Sequence, residues 1–500
     1  MHEEFASPGG GSGAYVLSSW LFLRLLGLSY LAAFVSLAVQ IKGLAGRRGI
    51  LPARDYLLAR RTCGPTRFLQ YPTLCWWNAG DRFLVFLCRC GVVLAALLVL
   101  GVAPLPILML LWGFYLSLFT VCRVFLGYQW DVLLLETGFL AIFIAPITLL
   151  PEFPPSTAPS KLVLWLLWWL LFRLMFSSGF VKLRGGDKSW RTLTALRRHY
   201  ETQPLPTRTA WHMHQLPPRF HRFSALFMFA VELLMPVFIF APPPFCYLAG
   251  GSFILLMLLI MATGNYAFFN LLAIALSVLL FDDFFWISLA GECLPEIQLV
   301  WAAAGASSWR TFICIPVALI IGLLSVEVVC RLFRVSRPWP RPMERLIEWL
   351  DPFRLVNGYG LFAVMTTERP EIIVEGSHDG VHWKEYEFKW KPGDVNRAPR
   401  FVAPHQPRLD WQMWFAALSP YAGAPWFGRF LLCLLQGSSD ARALLRMNPF
   451  AEDPPRFVRA VLYDYHFTNR ATRRATGAWW RRDRRGLYGP VLSRRDETAG

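Results

Sequence analysis

The chain has 500 residues, of which 55% are hydrophobic and only 17% charged, with 22 Trp and 40 Phe. Globular soluble domains carry about 25% charged residues, so a mean hydropathy of +0.39 excludes a typical soluble enzyme and points to a polytopic membrane protein. The formal net charge of +17 does not argue for nucleic acid, because the basic residues lie mostly between and after apolar runs, where lipid phosphates and membrane orientation account for them.

Crossing a hydrocarbon core of about 30 Å takes roughly 17 to 25 mostly apolar residues. After a polar tail over 1–14, about nine runs fit that pattern, near 15–39, 83–102, 104–126, 131–150, 161–182, 222–241, 246–263, 265–284 and 310–333. The first is too long for a cleaved signal peptide and lacks its small-residue cleavage pattern, so it reads as a retained helix. The multi-pass helical domain then spans 15–333.

The polar segments between these runs are charged unequally. Lys42, Arg47, Arg48, Arg54, Arg60, Arg61 and Arg67 fall in 40–82, and a second basic cluster fills 182–222. The loop 282–308 is acidic, with Asp282, Asp283, Glu292 and Glu296. Nine passes put both basic loops and the C-terminal region on one face, which the positive-inside rule makes cytoplasmic.

Of the ionisable residues inside apolar runs, Glu136, Arg173 and Glu232 are the candidates for a functional or paired role. A charge at a helix centre costs at least about 2.5 to 3.5 kcal/mol on insertion scales, so these form a candidate intramembrane polar cluster. Ion pairing within the bundle is the first reading and a polar cavity the second. Glu327, near the end of the last run, reads as a snorkelling side chain.

Between His199 and His221 there are four histidines, and His212-x-His214 would present both imidazoles on one face only as a strand. Without a Cys or carboxylate at a recognised spacing, the pair reads as part of an aromatic interfacial loop, and no metal or cofactor is expected. The cysteines form no framework, with Cys63 and Cys75 the one candidate pair.

After Arg331 a basic linker rich in Pro and Trp covers 334–355, followed by a soluble domain over 356–500 with a β-rich core. Strand formers fill Leu361 to Thr366 and Glu371 to Glu375, and Asp379-Gly380 signals a tight turn. The next strand carries Val381 and Trp383 on one parity but Tyr386, Phe388 and Trp390 on the other, which predicts a bulge near Lys384 and Glu385. Asp410 is the expected N-cap of a short helix bearing Trp411. No Gly-rich phosphate loop and no G-x-S-x-G elbow occurs.

Several phrases are more specific than composition. They include Glu136-Thr137-Gly138-Phe139, Val181-Lys182-Leu183, His199-Tyr200-Glu201-Thr202-Gln203-Pro204, Gly264-Asn265-Tyr266, Asp282-Asp283, Lys391-Pro392-Gly393-Asp394, Asp410-Trp411 and Asn448-Pro449-Phe450. Together they resemble the lipase maturation factor family, from about residue 45 to 490, with wording closer to its second branch. The resemblance implies a multi-pass endoplasmic reticulum membrane protein without enzymatic activity. Such a protein assists folding and assembly of secreted clients, lipases above all, alongside membrane lipid and other folding factors, and its C-terminal region faces the lumen.

The absence of an N-x-S/T sequon and of a Lys-Asp-Glu-Leu type ending leaves a bacterial cytoplasmic membrane as the alternative location. Gly179-Phe180-Val181-Lys182-Leu183, with Trp190 downstream, is also similar to a Gly-x-Lys-Lys-Leu run of the vitamin K-dependent carboxylase, in which the lysine before Leu is a base. That second resemblance implies a rival intramembrane enzyme using Lys182 as base, with Lys182, Glu136 and Glu232 lining an intramembrane cavity and acting on a lipid-soluble or peptide substrate, whereas an anchoring lysine at a helix end is the plainer reading.

Overall fold

The structure, a computed structural model, describes residues 14–153, 158–290, 308–335 and 338–494. The tail through residue 13 and the loop carboxylates Glu292 and Glu296 lie outside the described residues. Every one of the nine apolar runs contains helix: α1 (Val16–Ala38), α2 (Asp81–Leu100), α3 (Pro104–Val121), α4 (Gln129–Ile144), α5 (Lys161–Arg184), then, after two short connecting helices, α6 (Leu196–Thr202) and α7 (Arg208–His214), α8 (Pro218–Phe229), α9 (Phe245–Thr263), α10 (Phe269–Val278), α11 (Asp283–Ala290) and α12 (Ser308–Phe333).

Among the described residues, seven helices are long and apolar enough to cross a membrane, the stretch Pro218–Phe240 counting as one, and eight if the bent pair Phe269–Val278 and Asp283–Leu289 is a single span. That is fewer than the nine expected. The 16 residues of α4 rise only about 24 Å, and α10 is shorter still. Both nevertheless run through the bundle in alternation with their neighbours. Leu149, beyond α4, accepts from Ala103 at the turn before α3, and Leu279, at the end of α10, accepts from Trp168 near the start of α5.

At the opposite end the helices meet the C-terminal domain: Gln40 after α1, Gln129 of α4, Asp187 after α5 and Asn265 after α9 bond to Gln406, Gly360, Met365 and Arg400. The N-terminus of α1 sits on the far face, where Asp283 Oδ2 and Oδ1 accept from the backbone N–H of Val16 and Leu17 at 3.0 and 2.9 Å. Both basic loops therefore share a face with the C-terminal domain, as nine alternating passes require.

The C-terminal region carries a five-stranded sheet in the order β2 (Lys384–Glu385), β1 (Pro370–Ser377), β5 (Phe457–Phe467) and β6 (Trp480–Leu487), with β7 (Leu492–Ser493) also on β5. All pairings are antiparallel. A second sheet pairs β3 (Glu387–Phe388) with β4 (Leu445–Met447). Gly380, at φ 78°, makes the expected turn between β1 and β2. The parity shift after Trp383 has a different cause from a bulge at Lys384 and Glu385: the chain leaves β1 at Tyr386 and pairs with β4 instead.

Leu361 to Thr366 is not a strand. Those residues form an irregular segment pressed against the bundle, fixed by Trp190 Nε1 donating to the Phe362 carbonyl and by Asp187 accepting from Met365 N–H. The linker 334–355 includes a helix, Arg341–Leu350. Asp410 does not cap the helix α13 (Arg408–Ala417). It lies inside the first turn, and its carboxylate instead accepts from the N–H of Trp390 and Lys391 at 2.8 and 2.9 Å, tying the strand end to the helix. Cys63 and Cys75 are both free thiols, the first exposed and the second buried.

Candidate functional site

The intramembrane charges separate into two pairs rather than one cluster. Glu136 and Arg173 form a buried ion pair. The second carboxylate oxygen of Glu136 accepts from Asn357 N, Asn357 Nδ2 and the Tyr359 hydroxyl at 2.8, 3.0 and 2.7 Å. Arg173 in turn donates to the Asn357 carbonyl at 2.9 Å. Both Glu136 oxygens and both terminal nitrogens of Arg173 are thus partnered, and the pair holds the start of the C-terminal domain in the bundle. Gly138 is needed beside it because a Cβ there would fall 1.9 Å from the Tyr30 hydroxyl. Thr137 is buried one residue before it.

Glu232 pairs elsewhere, with Lys182, whose Nζ reaches the two carboxylate oxygens at 2.8 and 2.6 Å. Lys182 is therefore no snorkelling anchor; it is buried, with its ammonium 5.6 Å from the Trp190 ring centre. The local chain explains the meeting. Pro236 lacks the N–H that would close an α-helical bond to the Glu232 carbonyl, and Ala230–Leu234 forms a π-turn followed by a tighter 3-10 turn over Met235–Phe240. The altered register turns Glu232 toward α5.

This pair lies on the wall of an apolar cavity of about 430 Å³ between α5, α8 and α9, closed on the C-terminal side by Leu361 and Phe362. Phe362 holds a left-handed backbone, φ 56°, which is unusual for a bulky residue, and its ring meets His199 and Tyr266 edge-on at 5.1 and 5.8 Å.

A hydrogen-bond chain completes the wall. Gln203 Nε2 donates to the Thr263 carbonyl at 3.0 Å, so its Oε1 accepts from the Tyr266 hydroxyl at 2.9 Å. With that proton committed, the Tyr266 oxygen accepts from His199 Nε2–H at 3.1 Å, and His199 Nδ1 is left as a lone-pair acceptor without a partner. Burial, with the Lys182 ammonium nearby, pushes the His199 imidazole down from 6.5 to about 4, so the ring is neutral at ordinary pH.

The remaining phrase residues act as ties. Asn265 Nδ2 donates to the carbonyls of Leu205 and Arg400, and its Oδ1 accepts from Val402 N–H at 2.7 Å. Glu201 accepts from Phe467 N–H at 2.6 Å, and the Thr202 carbonyl accepts from Trp414 Nε1. Gly264 bridges to Pro206, Tyr200 tilts its ring over His221, and Asp282 accepts from the Tyr247 hydroxyl at 2.6 Å. Trp411 packs edge-on against Trp130.

His212 and His214 lie on the helix α7, where a spacing of two residues splits them between faces. Glu327 bonds Arg331 and Trp339 at 2.6 Å each. Asp131 and Arg408, a fully buried ion pair between the bundle and the C-terminal domain, were not legible as a pair: an acidic residue at a helix start has a sufficient local reason in the helix dipole.

Two family models match, the lipase maturation factor transmembrane domain over residues 17–288 and the lipase maturation factor C-terminal domain over 355–490. The chain belongs to the lipase maturation factor family. It is 36% identical to lipase maturation factor 2 of Gallus gallus, over 96% of this chain and 82% of that protein. It is likewise 36% identical to lipase maturation factor 1 of Bos taurus, over 97% and 90%, and of Homo sapiens, over 96% and 89%. No solved structure matches the chain. Members of both branches thus align with the membrane bundle and the C-terminal domain alike, and the joint between those two parts lies within the aligned chain.

Proposed function

We propose that this chain is a non-enzymatic membrane chaperone that assists folding, assembly and maturation of secreted proteins, lipases in particular, from the endoplasmic reticulum membrane. The observation that carries the reading is the family match over both parts of the chain, including relatives named lipase maturation factors that align over nearly its whole length. The geometry supports it. The two buried ion pairs Glu136–Arg173 and Asp131–Arg408 engage loop and helix segments of the C-terminal region, so that region is held as a fixed platform on one face of the bundle. A client on that platform would face whichever compartment contains it, and the reading places it in the lumen, with folding factors of that compartment as further partners.

The test is complementation. Cells lacking their own maturation factors, supplied with this chain and a secreted lipase, should recover secreted lipase activity, and the chain should crosslink to the incompletely folded enzyme. Lipase that remains inactive while the chain is correctly inserted and abundant would overturn the lipase reading.

A further inference from the structure

The cavity beside Lys182 has features that a simple packing defect lacks. Its volume, about 430 Å³, falls within the range of small-molecule sites, roughly 300 to 1,000 Å³, and its lining is mostly apolar with a few polar groups gathered at one end. Leu174 and Lys182 both line it, eight residues apart on α5, so it extends about 12 Å along the bundle. Its rim is made by Phe220, Phe223 and Leu259, which are exposed on the outer surfaces of α8 and α9. Those surfaces belong to helices long and apolar enough to cross a membrane, so the opening is lateral, toward acyl chains rather than toward water.

The polar end specifies a head group. Lys182 and Glu232 neutralise one another, so the wall offers no net charge for a phosphate.

We propose that this cavity binds a neutral lipid with a single apolar chain, entering between α8 and α9 with its head against the mutually neutralised Lys182–Glu232 pair. The chain lies along Leu174, Met257 and Phe227, and Phe362 covers the head from the C-terminal domain. The inference rests on the cavity and not on the identity of any client, so it stands or falls separately from the lipase reading.

The experiment uses the full-length protein in lipid nanodiscs and a 1-monoacylglycerol carrying a diazirine in its acyl chain. Photolabelling should concentrate on peptides from α8 and α9 around Phe223, Phe227 and Ile260. Unlabelled 1-monooleoylglycerol and methyl oleate, both uncharged, should compete, whereas phosphatidylserine, which brings a net charge, should compete about tenfold less well. Ser224→Phe places a ring at the mouth and should abolish the label, while Leu319→Phe, on an exposed face of α12, should leave it unchanged.

Label spread evenly over lipid-facing helices, or retained in Ser224→Phe, would show ordinary boundary lipid and overturn the site. Equal competition by phosphatidylserine would overturn the assigned head group. Because the competitor series uses the parent protein, it decides the question even where a variant fails to fold.

Discussion

Asp131 and Arg408, 277 positions apart, form a fully buried two-point ion pair in which Arg408 Nη1 and Nη2 reach the carboxylate oxygens at 3.0 and 2.9 Å. Arg408 also donates to the Phe125 carbonyl at 2.7 Å, and Tyr115 donates to Asp131. Such a pair gains little over apolar packing, yet breaking it is costly, because the surviving charge stays buried. Asp131→Ala should therefore cost about 3 to 5 kcal/mol, and the double variant Asp131→Leu with Arg408→Met should recover most of that loss. Thermal unfolding in detergent compares the two. A single variant as stable as the parent would show that the joint is carried by other contacts.

Lys182 and Glu232 make the same argument within the bundle, and here it also separates structure from chemistry. Lys182→Met leaves the Glu232 carboxylate buried and alone, with an expected loss of about 3 to 5 kcal/mol, and adding Glu232→Met should restore folding. The restored double variant should still mature a lipase client, since the proposed function asks no proton transfer of Lys182. A stable, correctly inserted double variant that binds client but yields no active lipase would support the base-using rival instead.

These two pairs mark the boundary of what the sequence discloses. Apolar run length is a local property, so helix in each of the nine runs could be read directly, although only seven or eight are long enough to span, and charges inside the runs were visible as anomalies. Pairing was the first reading for Glu136 and Arg173, but which carboxylate met which cation was not fixed, because Glu232 reaches Lys182 through a π-turn before Pro236, and Asp131 meets a residue of another domain. Strand propensity failed at Leu361 to Thr366 for a related reason: docking onto Trp190 and Asp187 outweighs a preference worth less than about 1 kcal/mol. At Tyr386 the alternation was read correctly, but a change of partner strand looks in sequence like a bulge.

His199 should make the protein sensitive to acid. Its folded value of about 4 lies below its ordinary 6.5, so between these values the unfolded chain binds the extra proton. Stability from this group is therefore complete above 6.5 and declines as the pH falls toward 4. At pH 5 the loss amounts to about 2 kcal/mol. His405, pushed down to about 4 by burial with Arg408 and Lys389 nearby, titrates in the same window. Unfolding midpoints of the parent and His199→Gln at pH 7.5 and pH 5 isolate the His199 share: the variant should lose less on acidification. Equal losses would mean that His199 is not held neutral by the fold.

The alternating passes make a prediction about sidedness that does not depend on counting apolar residues. Gly64, Gly186 and Gly477 lie in segments beside the C-terminal domain, and no atom comes within 4 Å of a Cβ built at any of them, so each tolerates a short epitope insertion. Pro243, exposed in the turn between Phe240 and α9, lies on the other face. One pass separates Gly186 from Pro243, and three, α9, α10 and α12, separate Pro243 from Gly477. Antibody access after selective permeabilisation should therefore group the three glycine sites together and set Pro243 apart. If α10 returned without crossing, Gly477 would instead join Pro243. The absolute side tests the proposed location: glycine-site epitopes reached only after the internal membrane is opened place the C-terminal platform in the lumen with its clients. Epitopes reached from the cytoplasm would mean that the basic loops obey the positive-inside rule and that a luminal chaperone role is wrong.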